Sequence, residues 1–140
     1  IIDFQDAVKG PITYDLVSLL RDCYINWPEE KVSQWVEEFR LALINQGRQL
    51  PDSYFFKRWF DLMGAQRHLK AIGIFSRLNI RDGKPGYLGD IPRTMNYLIS
   101  VTASVEELKP VAGWLVARVL PAMRESDHFA DDVLNHWVME

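Results

Sequence analysis

With 140 residues, 48% hydrophobic and 25% charged, the chain has the composition of one folded globular domain over residues 1–140, not that of a disordered segment. A net charge of −3 excludes the basic face that a nucleic-acid binder needs, and no apolar run approaches the ~20 residues that span a bilayer. The single cysteine, Cys23, rules out an internal disulfide; with no signal peptide in view, the reading is a protein of the reducing cytoplasm.

Taken in chain order, the pattern is mainly α. Ile1-Ile2-Asp3-Phe4 reads as one short N-terminal strand with an acid near its end. It begins without a polar leader, as though a strand were entered halfway, so the expectation is a piece of a longer structure. An apolar strand without its sheet invites pairing with another chain, which predicts self-association of such a piece. Gly10-Pro11 is a loop, and Tyr14-Asp15-Leu16 opens a first helix to about Tyr24, with Asp15 as a buried N-cap. Trp27-Pro28-Glu29-Glu30 starts a second helix, with Pro in the first helical position. Val32, Trp35, Val36, Phe39 and Leu43 recur along it at helical spacing, and Gly47 ends it.

A third helix is predicted from Pro51-Asp52-Ser53 to about Asn79. Its apolar residues wrap nearly all round, which predicts a buried central helix. After the turn-rich stretch Arg81 to Gly86, a fourth helix is predicted from Ile91 to Ala103. A fifth shows Leu108, Val111, Ala112, Leu115, Val119 and Met123 on one face, and a short amphipathic piece from His128 to Val138 closes the chain.

The third helix carries one polar patch: Gln66, Arg67, His68 and Lys70. Polar groups on such a helix must be paired or face a cavity. Two readings stay open. Either Arg67 or Arg77 pairs with Asp61 or Asp82 at the core edge, or the patch is a substrate wall in which Arg67 grips a carboxylate. His68 is expected to be a satisfied core-edge histidine, Cys23 a small buried hydrophobe, and Trp27, Trp35, Trp59, Trp114 and Trp137 mostly core.

The opening text, Ile-Ile-Asp-Phe-Gln-Asp-Ala, then Gly10-Pro11, then Tyr14-Asp15-Leu16, resembles the metal-binding stretch of the aminoglycoside phosphotransferase and choline kinase family, relatives of the protein kinases. Gln66 to Lys70, Gly73 to Leu78, Tyr87-Leu88 and Ile91-Pro92-Arg93 resemble bacterial members that phosphorylate cell-wall amino sugars at the anomeric hydroxyl. The resemblance implies the helical C-terminal subdomain of a protein-kinase-like α+β fold, using ATP and Mg²⁺ on a small-molecule substrate. Asp3 would be the metal ligand, Asp15 the brace of the catalytic loop, and Asp6, Gln66, Arg67 and Lys70 substrate-binding residues. None of His68, His128 or His136 is followed two residues later by Asp, so a His-x-Asp catalytic loop and the nucleotide site are expected upstream of Ile1. The alternatives are the same fold acting on choline, an aminoglycoside or homoserine, or a non-enzymatic helical interaction module.

Overall fold

A computed structural model describes residues 9–126 and 129; these are helical almost throughout, with no strand among them, in keeping with the mainly α expectation. The Ile1–Phe4 strand lies outside the described residues, as does all but Phe129 of the closing piece.

The first helix, α1 (Tyr14–Leu20), corrects one expectation. Its N-cap is Thr13, whose carbonyl accepts the Val17 N–H at 2.9 Å, while Asp15 is exposed in the first turn and makes no cap bond. The reason is the turn before it: Pro11 accepts the Tyr14 N–H at 3.0 Å and so sets where the helix begins. The inward face is then Leu16, Val17 and Leu20, which leaves Asp15 outside, where its charge still suits the positive end of the helix. α1 also stops short of Tyr24. Asp22 Oδ1 accepts the N–H groups of Tyr24 and Ile25 at 2.6 and 2.7 Å, folding the chain into a turn instead.

In the second helix, α2 (Glu29–Asn45), Pro28 stands at the cap rather than inside, and Val32 and Val36 are buried. Gly47, at φ 83°, takes the left-handed conformation that closes it. The longest helix, α3 (Ser53–Asp82), is capped by Asp52, whose side chain accepts the Phe55 N–H at 2.9 Å. It ends at Gly83 (φ 62°), where the Gly83 and Lys84 N–H groups return to the Asn79 and Leu78 carbonyls at 3.1 and 3.0 Å. A 3₁₀ turn (Pro85–Asp90) leads into α4 (Ile91–Ser104), whose buried threonines donate back to their own helix, Thr94 to Asp90 and Thr102 to Leu98.

After another 3₁₀ turn (Glu106–Leu108) come α5 (Lys109–Trp114), a π turn (Leu115–Val119) and α6 (Leu120–Arg124), end to end. The π turn has a sequence cause. Pro121 has no N–H, and its ring crowds the carbonyl four residues back, which disfavours a regular turn there. The widened turn also brings Leu120 and Met123 inward with Ala112 and Leu115, although Leu115 and Leu120 are five residues apart.

α3 packs against α1, α2, α4 and the Pro85–Asp90 turn, so it is central. It is not buried all round: Tyr54, Phe55, Trp59, Leu69 and Ile80 are exposed, Ile80 to 84%. A helix of 30 residues is about 45 Å long. Its neighbours cover only part of that length and circumference. Trp27 and Trp114 are exposed too, so the tryptophans are less of the core than their number suggests, although Trp35 packs against it.

Two cores result. Leu16, Val17, Leu20, Val32, Val36, Phe56 and Phe60 form one between α1, α2 and the first half of α3. Ala65, Phe75, Leu88, Met95, Leu98, Val101, Leu115 and Met123 belong to the other, built on the second half of α3 with α4 and the terminal helices. α1 runs along α3 in the same sense: Val17 lies beside Gly64, where an added methyl would sit 3.8 Å from it, and the Arg21 carbonyl reaches His68. Between the two cores lies the Arg21 guanidinium, its side chain 4% exposed. Nη1 donates to Asp61 at 2.9 Å, Nη2 to both oxygens of Glu29 at 2.8 and 3.0 Å, and the group lies 4.9 Å from the Phe60 ring centroid. Lys57 closes the network on Asp61 at 2.8 Å and on Glu29 at 3.3 Å.

Removing one partner of a buried pair strands the other charge, whereas an exposed partner contributes little. Asp61→Ala is therefore expected to destabilise the chain by about 3 kcal/mol or more, read from urea unfolding. Glu29→Ala, whose side chain is 59% exposed, should cost less than about 1 kcal/mol. Equal losses in the two variants would refute this ranking.

Candidate functional site

Asp3 and Asp6 lie outside the described residues. The other candidates occupy one stretch of α3. Gln66 and Lys70, four apart and so neighbours on the helix surface, are exposed, and Arg67 at their margin is half-buried. Arg67 turns toward α1: its guanidinium carbon lies 4.2 Å from the centroid of the Tyr14 ring. Tyr14 is the first residue of α1, the helix that follows the Asp3–Asp6 segment in the chain.

The expected core-edge ion pairs are not formed. Asp61 is taken by Arg21 and Lys57, and Asp82 pairs with its neighbour Arg81 at 2.6 Å. Among the described residues, no carboxylate lies within ion-pair distance of Arg67 or Arg77. The reason is register. Arg21, two turns after Tyr14 on the same face of α1, meets Asp61 first, and Lys57 reaches it from one turn away on α3.

His68 is buried at 2% exposure, stacked 5.1 Å from the Tyr97 ring. Its Nε2 lies 2.9 Å from the Arg21 carbonyl, which can only accept, so Nε2 carries the proton. Nδ1 is then a bare lone pair without a hydrogen-bond partner, so the expectation of a fully satisfied histidine holds for one nitrogen and not the other. Burial, together with the positive charges of Arg21 and Arg67, holds the imidazole pKa below its ordinary value, against the backbone hydrogen bond that raises it. Cys23 is half-buried against the larger core rather than fully enclosed. Burial pushes its thiol pKa up, Thr94 opposes this through a hydrogen bond, and the Arg67 charge is close enough to lower it slightly.

The α1–α2 loop is fastened from α3 and α4. His68 takes the Arg21 carbonyl; Arg93 Nη1 donates to the carbonyls of Cys23 and Tyr24 at 3.2 and 2.7 Å; and Tyr97 Oη donates to the Ile25 carbonyl at 3.2 Å or to Asn26 Oδ1 at 2.8 Å. Tyr14, Arg93 and Tyr97 were not among the sequence candidates. The face Tyr14, Val17, Arg21 along α1 was the available signal for the first. Arg93 stood only within the Ile91-Pro92-Arg93 resemblance and no local pattern marked Tyr97; both act across about 70 residues.

A groove of about 320 Å³ opens elsewhere, lined by Arg21, Glu29, Lys57, Asp61, Ser100 and Ser104 among others. None of Gln66, Arg67 or Lys70 lines it. Each charge on its wall is already ion-paired, Arg21, Glu29, Lys57 and Asp61 among themselves and Arg58 with Glu107, so it reads as the outer face of the buried network.

The His68 environment predicts a pH response. An imidazole whose folded-state pKa is depressed takes up its proton more readily when unfolded, so stability is fully present above the unfolded value of about 6.5 and is lost as pH falls through it. Urea midpoints should therefore drop between pH 7 and pH 5, and His68→Gln should flatten that slope. An unchanged slope in the variant would assign the dependence to other groups.

Residues 1–54 match the phosphotransferase enzyme family. The chain is 49% identical over 120 residues to the N-acetylmuramate/N-acetylglucosamine kinase of Neisseria meningitidis, an overlap of 85% of this chain and 36% of that protein. It is 48% identical over 109 residues to the kinase of that name from Pseudomonas aeruginosa, covering 77% of this chain and 32% of the relative. With the kinase of that name from Pseudomonas putida it shares 42% identity over 125 residues, 89% of this chain and 37% of the relative. The chain thus spans about a third of the length of these curated relatives. No solved structure matches it. Its first 54 residues match the family and its likeness to such kinases runs over most of its length: the chain belongs to the phosphotransferase enzyme family.

Proposed function

We propose that these 140 residues form the acceptor-side helical part of a longer ATP-dependent kinase that phosphorylates a hydroxyl of an amino sugar in the cytoplasm. The observation that carries the reading is the 49% identity, over 85% of the chain, to a protein named N-acetylmuramate/N-acetylglucosamine kinase. The phosphotransferase match over residues 1–54 spans both Asp3 and Asp15, in keeping with the roles the sequence reading assigned them. A Mg²⁺ ion needs only one or two carboxylates beside the phosphates, and Asp3 is the carboxylate that would hold it in this reading. The ion's contribution, once bound, is to neutralise charge on the phosphate oxygens. The exposed carboxylate of Asp15 is open to backbone N–H groups of a catalytic loop from outside the described residues. Asp6, Gln66, Arg67 and Lys70 line the acceptor side in this reading. A quaternary-ammonium acceptor would want acids or a bare aromatic face; here the Tyr14 ring is already covered by Arg67.

The test uses the full-length protein carrying these residues, with ADP release and phosphorus NMR as readouts. ATP should be consumed with N-acetylglucosamine or N-acetylmuramate, giving an anomeric phosphate. Asp3→Asn should lower kcat by a factor on the order of 10²–10³ with circular dichroism unchanged, since it removes charge stabilisation rather than packing. Near-normal turnover in that variant removes Asp3 from the mechanism, and absence of sugar phosphorylation in the parent protein removes the reading.

A further inference from the structure

We propose that Arg67, held face-on by Tyr14, is the residue that recognises a carboxylate on the acceptor and so favours N-acetylmuramate, which has one, over N-acetylglucosamine, which has none. This rests on the amino-sugar kinase reading above.

Four arginines among the described residues are withdrawn from full exposure: Arg21, Arg40, Arg58 and Arg67. The first three each pair with a carboxylate, on Asp61 and Glu29, on Glu37 and on Glu107. Arg67 has none among the described residues; its contact is the Tyr14 ring at 4.2 Å. A partly desolvated guanidinium keeps its charge at any physiological pH, so the missing partner is an anion.

The geometry of the contact fits the gap. An aromatic ring takes the flat face of a guanidinium, and the N–H donors lie in the plane, at its edge. With the guanidinium carbon over the ring, a face-on arrangement would hold Arg67 and leave its fork available for two parallel bonds to one carboxylate. Charge nearby points the same way. Lys70 lies one turn on, exposed. Of the two acids that share the surroundings of Cys23 with Arg67, Asp22 is engaged by the Tyr24 and Ile25 N–H groups, and neither it nor Asp90 is within ion-pair distance of Arg67. Tyr14 opens the helix that follows the Asp3–Asp6 segment in the chain. In N-acetylmuramate the carboxylate sits on a lactyl ether of the sugar ring, a short flexible arm that suits a fixed receptor.

Steady-state kinetics of the full-length protein on both sugars test this. In Arg67→Ala the ratio of kcat/KM for N-acetylmuramate to that for N-acetylglucosamine should fall about 10- to 100-fold, the scale of one lost charge-assisted pair. The loss should appear in KM for N-acetylmuramate rather than in kcat. Arg67→Lys should recover part of the ratio, because the charge remains without the fork. Tyr14→Leu, which removes the platform and leaves the arginine, should shift the ratio in the same direction by a smaller factor. A ratio unchanged in both Arg67 variants, or an equal loss for both sugars, overturns the proposal while leaving the kinase reading intact. A parent protein that phosphorylates neither sugar overturns both.

Discussion

The architecture depends on one buried cation. Arg21 caps the end of α1 with its guanidinium only 4% exposed between two apolar cores, and such a charge is tolerable only where carboxylates and other acceptors meet it in fixed geometry. Asp61 supplies one anchor from α3 and Glu29 another from the start of α2, so a single side chain dictates how three helices meet. The backbone of the same residue is used as well: its carbonyl takes the His68 proton, which ties the end of α1 to α3 a second time. The Nε of Arg21 finds no partner, so the arrangement is strongly directional yet incompletely satisfied. Apolar residues of similar size would relieve that cost, but would not determine which helix goes where.

The two sides of α3 divide the labour. Lys57, Asp61 and His68 hold the bundle together, with every charge answered from α1, α2 or α3 itself. Gln66, Arg67 and Lys70 lie toward solvent and the start of α1, where no described acid answers Arg67. The groove lies on the first side, and its size by itself carries no functional weight because its charges are already paired. Electrostatic accounting separates structural polar groups from those left open better than concavity does.

Much of the fold was legible from residue pattern. Asp52 before an apolar run marked the start of α3, Gly47 marked the end of α2, and the spacing of Val32, Trp35, Val36 and Phe39 gave α2 its inward face. The errors came from geometry that pattern does not carry. Asp15 looked like a cap because caps favour acids, yet the turn at Pro11 set the start earlier, at Thr13. α3 looked buried because apolar residues surround it, while neighbours cover only some of its sides. One of the two readings of the polar patch paired Arg67 or Arg77 with Asp61 or Asp82, whereas Asp61 is met by Arg21 from 40 residues earlier and by Lys57. At the site, Arg67 was visible as a polar interruption, but its stack on Tyr14 depends on how two helices lie side by side. Asp3 and Asp6 stay legible only as sequence text, since they fall outside the described residues.

The π turn at Leu115–Val119 bears on how such chains change length. A π turn holds one residue more than the α turn it replaces, and here that surplus keeps Leu120 and Met123 on the inner face after Leu115. A homologue with one residue fewer between Leu115 and Leu120 would regain ordinary helical winding and still present the same side chains to the core. A deletion on either side of this stretch would instead rotate everything beyond it by about 100°, one residue's turn of a helix. Single-residue insertions and deletions among homologous chains should therefore collect within these five positions, and aligning across them without a gap would mispair the inward residues that follow.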